Sequence, residues 1–233
     1  MMKNLFVRTI GALTLTIAVG YADSSSIDTL SKACDGGNAT KCAELGSRYD
    51  NGEGVKLDKI KAMELFSKSC DGDCPIGCSM LGNMYRFGEG MPQDYTKAIQ
   101  LYTKACYSRH KYSGGGCMDL AVMYGNGKGV PQDYKKATEL ITKGCDDGHA
   151  KSCNSLGYIY GKGDVVQQDK VRAAALYTKA CDGGNAEACN TVGIIYATGD
   201  GVQLDITKAK VFFGKSCDMN FERGCQNYSK ANK

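Results

Sequence analysis

Tryptophan is absent from this chain of 233 residues, proline occurs three times and histidine twice. So little proline favours short helices joined by tight turns, because proline interrupts helices. Beyond the first 22 residues, no apolar run approaches the ~20 residues that a membrane-spanning helix needs. The net charge is only +4 and no basic stripe occurs, which argues against nucleic-acid binding. No G-x-x-x-x-G-K-[S/T] motif occurs, so the glycine-rich segments are not phosphate-binding loops.

The first 22 residues are typical of a secretory signal peptide. Lys3 and Arg8 precede an uncharged segment, residues 9–19. Gly20 and Ala22 then supply small residues at the positions that determine cleavage. We expect cleavage near Ala22 and a secreted or periplasmic protein with no membrane span after the signal is removed. The alternative is an N-terminal membrane anchor, although the apolar run is about half as long as a span.

Twelve of the thirteen cysteines form pairs that recur along the chain. Five pairs lie eight positions apart and one lies eleven apart: Cys34/Cys42, Cys70/Cys78, Cys106/Cys117, Cys145/Cys153, Cys181/Cys189 and Cys217/Cys225. The first cysteines of successive pairs are separated by 36, 36, 39, 36 and 36 residues. A repeat of this length predicts a stacked array, and paired cysteines in every unit indicate an oxidising compartment.

Each cysteine pair is predicted to form a local disulfide. Two cysteines eight residues apart across a tight turn between helices can reach the Cα–Cα range of roughly 4.4–6.8 Å. Pairing the first cysteines of neighbouring units, such as Cys34 with Cys70, would have to span stacked helices roughly 8–10 Å apart. We therefore expect the six local bridges and reject the connectivity between units.

Each unit has the pattern of two antiparallel helices. In the first helix a cysteine, an aliphatic residue and a tyrosine share one face, as do Cys42, Leu45 and Tyr49. A small residue, here Gly46, comes directly after the aliphatic one. The recurrent glycine, replaced once by Ala121, predicts close approach of a second helix. That second helix is predicted to begin after an aspartate N-cap. These aspartates are Asp58, Asp94, Asp133, Asp169 and Asp205.

The repeat, from about residue 27 to 228, resembles the SEL-like repeat family, a relative of the tetratricopeptide repeats. The cysteine pair in every unit resembles the Helicobacter cysteine-rich subgroup, whose members are labelled beta-lactamases. The resemblance implies an all-α fold, a right-handed superhelical solenoid of αα-hairpins stapled by disulfides. We expect one such domain at 23–233, with a terminal helix at 220–230. The resemblance also implies slow hydrolysis or binding of penicillin-type compounds, peptide binding in the concave groove, or signalling to host cells.

One connection departs from the repeat by three extra residues, between Cys106 and Cys117. It contains Ser108 and Lys111, which have the serine–lysine spacing of penicillin-recognising enzymes. No Lys-Thr-Gly or Lys-Ser-Gly element accompanies them. We expect a longer inter-helix loop here, and if the chain has a catalytic pair, it is this one.

Cys74 is the odd cysteine and is expected to be a free thiol, able to exchange with the adjacent pair or to bond to a partner. Its neighbours Cys70 and Cys78 do not form a zinc pattern with it, because no histidine or fourth cysteine is near. His149 is expected to be a surface or capping residue. We expect no metal and no cofactor, and a monomer, with a dimer through Cys74 as the alternative.

The first helices of the units are expected to line the concave face, where their outward positions form a ligand groove. Asparagines near Arg and Lys side chains could hold a peptide backbone and a terminal carboxylate. An ordinary solvated helix face is the alternative. The predicted groove residues are Asn83, Arg86, Asn154, Tyr158, Lys162 and Asn190, with Ser79, Met118, Val122 and Ile194 beside them.

Two functions follow from the sequence. The first is an interaction scaffold that binds a peptide or protein, a peptidoglycan-related ligand or a host protein. The second is a slow beta-lactamase acting on penicillin-type compounds. Turnover of a chromogenic cephalosporin distinguishes them.

Overall fold

The computed structural model describes residues 19–110 and 112–233, with side chains described from residue 27. The described part contains twelve α-helices and no strand. In chain order they are α1 Val19–Asp35, α2 Ala39–Asn51, α3 Lys59–Asp71, α4 Pro75–Phe87, α5 Tyr95–Cys106, α6 Ser113–Asn126, α7 Tyr134–Asp146, α8 Ala150–Lys162, α9 Lys170–Asp182, α10 Ala186–Thr198, α11 Ile206–Asp218 and α12 Glu222–Ala231.

The helix ends are set by two recurrent residue types. The predicted N-cap aspartates of α3, α5, α7, α9 and α11 each accept a hydrogen bond from the backbone N–H three residues later, at 2.8–3.0 Å. Five glycines end α2, α4, α6, α8 and α10 in the left-handed conformation, with φ between 63° and 78°. Glycine suits these positions because a side chain is strained at positive φ.

The helices pack as a right-handed superhelical solenoid of αα-hairpins. Each helix packs against its neighbours in the chain, and even-numbered helices also touch one another: α2 with α4, α4 with α6, α6 with α8, and α10 with α12. The even-numbered helices are therefore on the concave side, and we call them inner helices. The odd-numbered ones, α3 to α11, are the outer helices. As predicted, the inner helices are the first helices of the units.

Six disulfides join the end of one helix to the start of the next: Cys34–Cys42, Cys70–Cys78, Cys106–Cys117, Cys145–Cys153, Cys181–Cys189 and Cys217–Cys225. These are the pairs predicted from the spacing. Their Cα–Cα distances of 4.3–4.6 Å bring the two helices very close. Small residues beside the cysteines allow this, and a Cβ on Gly77 would overlap Ser69.

The repeated glycine of the inner helices lies against an aromatic ring of the following outer helix. A Cβ added at Gly82 would lie 2.6 Å from Cε1 of Tyr102, and one at Gly193 would lie 2.5 Å from Cδ1 of Phe213. Gly46 and Gly157 face Phe66 and Tyr177 in the same way. The prediction that a second helix approaches closely at this glycine is confirmed.

In the described part of the chain, no helix is long and apolar enough to cross a membrane. The predicted signal peptide lies almost entirely in residues 1–18, outside the described residues.

Candidate ligand groove

The inner helices share a register that defines the concave surface. Positions one, five and eight residues after the second cysteine of each pair fall on one helical face, because they are spaced i, i+4 and i+7. On α4 these positions are Ser79, Asn83 and Arg86. We call the set of such positions the inner face.

The inner face of α4 carries a polar cluster with α5 and α6. The Tyr102 hydroxyl, on a fully buried side chain, donates to Oδ1 of Asn83 at 2.7 Å. Burial raises the pKa of Tyr102, the negative charge of Asp119 raises it further, and Arg86 opposes the shift. The α4–α6 polar cluster is Ser79, Asn83, Arg86, Tyr102 and Asp119.

Asp119 is the acidic member of this cluster and the second residue after Cys117 in α6. Burial raises the pKa of its carboxyl to about 6, although Arg86, Ser79 and Lys151 each pull it down. Carboxyl groups whose pKa is raised towards neutrality often mark binding or reactive sites, because such sites combine burial with specific charged partners. Sequence reasoning missed Asp119 because the other inner helices carry no acid at this position except Glu44.

Three buried side-chain polar atoms in the described residues have no hydrogen-bond partner: Ser79 Oγ, Arg86 Nε and Asn154 Oδ1. The Ser79 hydroxyl is near enough to Asp119 to lower its pKa but completes no hydrogen bond. All three atoms belong to inner-face positions of α4 and α8. A buried polar group without a partner costs about 1–3 kcal/mol, so such groups usually have a role.

Asn190 was predicted to be an exposed residue of the groove, but it is buried. Its side chain is only 6% exposed, and its Oδ1 accepts a hydrogen bond from Nδ2 of Asn227 on α12 at 2.8 Å. Ser79 is likewise only 7% exposed. At these two positions the first residue after the inner cysteine therefore faces the next inner helix, which packs against it. Asn154, the corresponding residue of α8, is only half-buried.

The inner face of α8 is more open. Tyr158 is 57% exposed, and Nζ of Lys162 lies 5.9 Å from the centre of its ring. Asn154 is half-buried on the same helix. An aromatic ring, an ammonium group and a carboxamide therefore project from one helix, a combination that can bind the backbone and a carboxylate of a peptide.

Of the predicted catalytic pair, only Ser108 lies in the described residues. Ser108 lies in the turn after α5, where its Oγ accepts a hydrogen bond from the backbone N–H of His110 at 3.3 Å. Penicillin-recognising enzymes place the serine at a helix start, and α6 begins only at Ser113. Lys111 lies outside the described residues. Ser108 does line a pocket of about 680 Å³ at the edge of the solenoid, with Tyr107, Lys104 and Arg109.

Cys74 is free and 3% exposed. An intermolecular disulfide through Cys74 would require local opening of the N-terminus of α4, because its thiol does not reach the surface. The structure therefore gives no support to a dimer through Cys74. His149 occupies the N-cap position of α8, and its Nδ1 lies 2.8 Å from Oγ of Ser152. Among the described residues no group of three or more His, Cys, Asp or Glu side chains could hold a metal ion.

Comparison with protein-family models gives five matches to the Sel1 repeat, at residues 42–74, 75–110, 115–149, 150–185 and 186–221. This chain belongs to the Sel1 repeat family. The matched segments begin and end near the disulfides, so each Sel1 repeat comprises an inner helix and the outer helix that follows it.

Several solved structures resemble this Sel1 repeat protein. The protective antigen c5321 of uropathogenic Escherichia coli is 30% identical over 88% of this chain, with a TM-score of 0.70, and this chain spans 43% of its length. A Sel1 repeat protein of Oxalobacter formigenes is 22% identical, with a TM-score of 0.70 over 88% of this chain and 97% of that one. Cysteine rich protein B of Helicobacter pylori is 30% identical over 56% of this chain and 92% of that chain, with a TM-score of 0.46. Comparison with curated protein sequences gives no significant match.

Proposed function

We propose that this Sel1 repeat protein is an interaction scaffold whose inner face binds an extended peptide or a cell-wall-related ligand. The observation that carries the proposal is that all three unpartnered buried polar atoms of the described residues lie on inner helices. A ligand that draws Arg86 or Asn154 into hydrogen bonds would remove the cost of leaving these groups unpaired. Disulfide-rich Sel1 repeats typically mediate protein interactions, which agrees with this role.

Charge supports a ligand that carries a carboxylate. Lys162 projects from α8 near the ring of Tyr158, and Lys151 is near enough to Asp119 to lower its pKa. Asn154 and Lys162 are the residues proposed to hold the ligand on α8. Asn190 supports α12 through Asn227, so its contribution would be indirect.

The six disulfides support an oxidising location, since such bonds persist mainly outside the cytosol. We propose that the protein is secreted or periplasmic. Peptidoglycan stem peptides and host proteins are then accessible ligands.

The test is selection from a phage-displayed library of random decapeptides on the mature chain, followed by affinity measurements with the best peptide. Replacing Asn154 and Lys162 together by Ala is expected to weaken binding roughly ten- to a hundredfold. Lys135→Ala, on the exposed surface of α7, is the matched control and should bind as the unmodified chain does. Stem peptides serve as competitors. Absence of any selected peptide, or full affinity in the double variant, contradicts the proposal.

A weak beta-lactamase is the second candidate, and the pocket beside Ser108 is the observation that favours it. Its test is covalent trapping of Ser108 by penicillin, read by mass spectrometry of the intact chain. An acylated serine would support it, and an unmodified chain that also fails to turn over a chromogenic cephalosporin would exclude it.

A further inference from the structure

Five residue positions that surround α4 can be compared with the same positions around α10. They are the three inner-face positions, the outer-helix residue eight after its aspartate N-cap, and the second residue after the next inner cysteine. In the α4–α6 polar cluster all five are polar. We call each such set an inner subsite.

The same five positions between α10 and α12 are Asn190, Ile194, Ala197, Phe213 and Asn227. Four of them, all but Asn190, line a pocket of about 380 Å³, completed by Ile206, Ala209, Lys230 and Ala231. Ile194 replaces Asn83 and Ala197 replaces Arg86, so the polar floor becomes an apolar one. Ile194 is 43% exposed and contributes apolar surface that a ligand can cover.

The pocket residues occupy the same helical positions as the predicted groove residues of the other repeats. Ile194 occupies on α10 the position that Asn83 occupies on α4 and Tyr158 occupies on α8. Lys230 occupies it on α12 and places an ammonium group at the edge of the pocket. An occupant with an apolar side chain and a nearby carboxylate or backbone carbonyl matches both features.

The α4–α6 subsite has a different preference. Oγ of Ser79 and Nε of Arg86 are buried there without a hydrogen-bond partner. The charge of Arg86 is also near enough to Asp119 to lower the pKa of its carboxyl, so the subsite holds one positive and one negative group. A charged ligand group would be repelled by one of them. An uncharged group that both donates and accepts, such as a carboxamide or hydroxyl, can pair with both.

The spacing of the two subsites follows from helix packing. Packed helices are separated by roughly 8–10 Å, and this distance for each of the three steps from α4 to α10 gives about 25–30 Å. An extended chain advances about 3.3 Å per residue, so this distance corresponds to about eight or nine residues.

We propose that the groove recognises an extended peptide whose apolar side chain enters the α10–α12 subsite and whose uncharged polar side chain, about eight or nine residues away, binds the α4–α6 subsite. This inference rests on the proposed peptide-binding function and adds the composition and length of the ligand.

In the test, the full chain and two variants each select peptides from a random dodecapeptide library, and the selected peptides are sequenced. For the unmodified chain we expect enrichment of Leu, Ile, Met or Phe at a fixed separation from Asn, Gln, Ser or Thr. Ile194→Asp should abolish the apolar enrichment and weaken the best peptide about 10- to 100-fold. Ile60→Asp is the matched control, because Ile60 is 61% exposed on the outer helix α3.

A second variant, Ile194→Asn with Ala197→Arg, copies the α4 residues into α10 and should exchange the apolar preference for a polar one. Circular dichroism melts establish that each variant is folded. Selected peptides without an apolar preference, or with one that both variants retain, overturn this inference but leave peptide binding standing. Selection of no peptide overturns the proposed function itself.

Discussion

Gly46 lies against the ring of Phe66, so that a Cβ on Gly46 would be 2.7 Å from Cε1 of that ring. Equivalent contacts recur in three further repeats. The exception is Ala121, whose outer-helix counterpart is the smaller Ile141, in the same apolar cluster. A glycine is therefore needed wherever the opposing residue is an aromatic ring, and alanine fits where it is aliphatic.

Gly46→Ala should destabilise the protein by about 1–3 kcal/mol, because the buried Phe66 ring has no space to retreat. Gly125→Ala is the control, since its Cβ would meet only Ala137 at 3.8 Å. That change should be neutral or stabilise by up to about 1 kcal/mol through helix propensity. Urea unfolding with the disulfides intact gives both values.

The pair Gly46→Ala with Phe66→Ile should recreate the Ala121–Ile141 combination. The double variant is expected to be more stable than the sum of the two single changes predicts, by about 0.5–3 kcal/mol, because the overlap disappears with the ring. Simple additivity in a double-mutant cycle would show that the ring contact does not explain the glycine.

Removing one interior disulfide should weaken the solenoid locally. Cys145→Ala with Cys153→Ala is expected to cost about 2–3 kcal/mol on the chain-entropy model for a loop of this size. Each helix packs mainly on its neighbours, so hydrogen exchange should accelerate in α7 and α8 while α3 and α11 remain protected. Uniform loss of protection from α2 to α12 would contradict this.

The stability of the protein should depend on the protonation of Asp119. Its pKa is about 6 in the folded chain and about 3.9 in an unfolded one. Between these values the folded chain retains a proton that the unfolded chain has lost, so the free energy of unfolding falls as pH rises from about 4 to about 6.

Asp119→Asn removes this titration. At pH 8 the variant should be more stable than the unmodified chain by about 2–3 kcal/mol, and near pH 3 the difference should vanish. Asp146→Asn is the control, because the Asp146 side chain is 74% exposed and its pair with Lys179 is long, at 3.8 Å. Parallel stability profiles for the Asp119 variant and the unmodified chain from pH 3 to 8 would refute the buried titration.

Ser108→Ala distinguishes peptide binding in the groove from hydrolysis at the pocket beside Ser108. Because Ser108 lies in the turn after α5, away from the inner face, peptide affinity should stay within about twofold, well under the tenfold that corresponds to 1.4 kcal/mol. A chromogenic cephalosporin is the parallel substrate, and we expect no turnover by either chain. Turnover that Ser108→Ala abolishes would establish the hydrolase instead.

Periodic features of the chain could be read from the sequence because each is set by local chemistry. The aspartate N-caps and the left-handed glycines act within a few residues of one helix end, as at Asp58 and Gly52. The disulfides join cysteines that are close in sequence, so their geometry is almost independent of the rest of the fold. The predicted helical register also placed Asn83, Asn154 and Lys162 in a ligand groove, and their role there is still a prediction.

The stack of disulfide-linked helix pairs can be predicted from the chain alone, since each unit repeats the same local signals. The chemistry of the concave face depends on packing between repeats, because burial there is set by how closely one inner helix lies on the next. That contact buries Asn190 against Asn227, and it encloses Asp119 beside Arg86 so that burial raises its pKa. No local pattern in the chain reveals either environment, because the partner residues are 33 or more positions away.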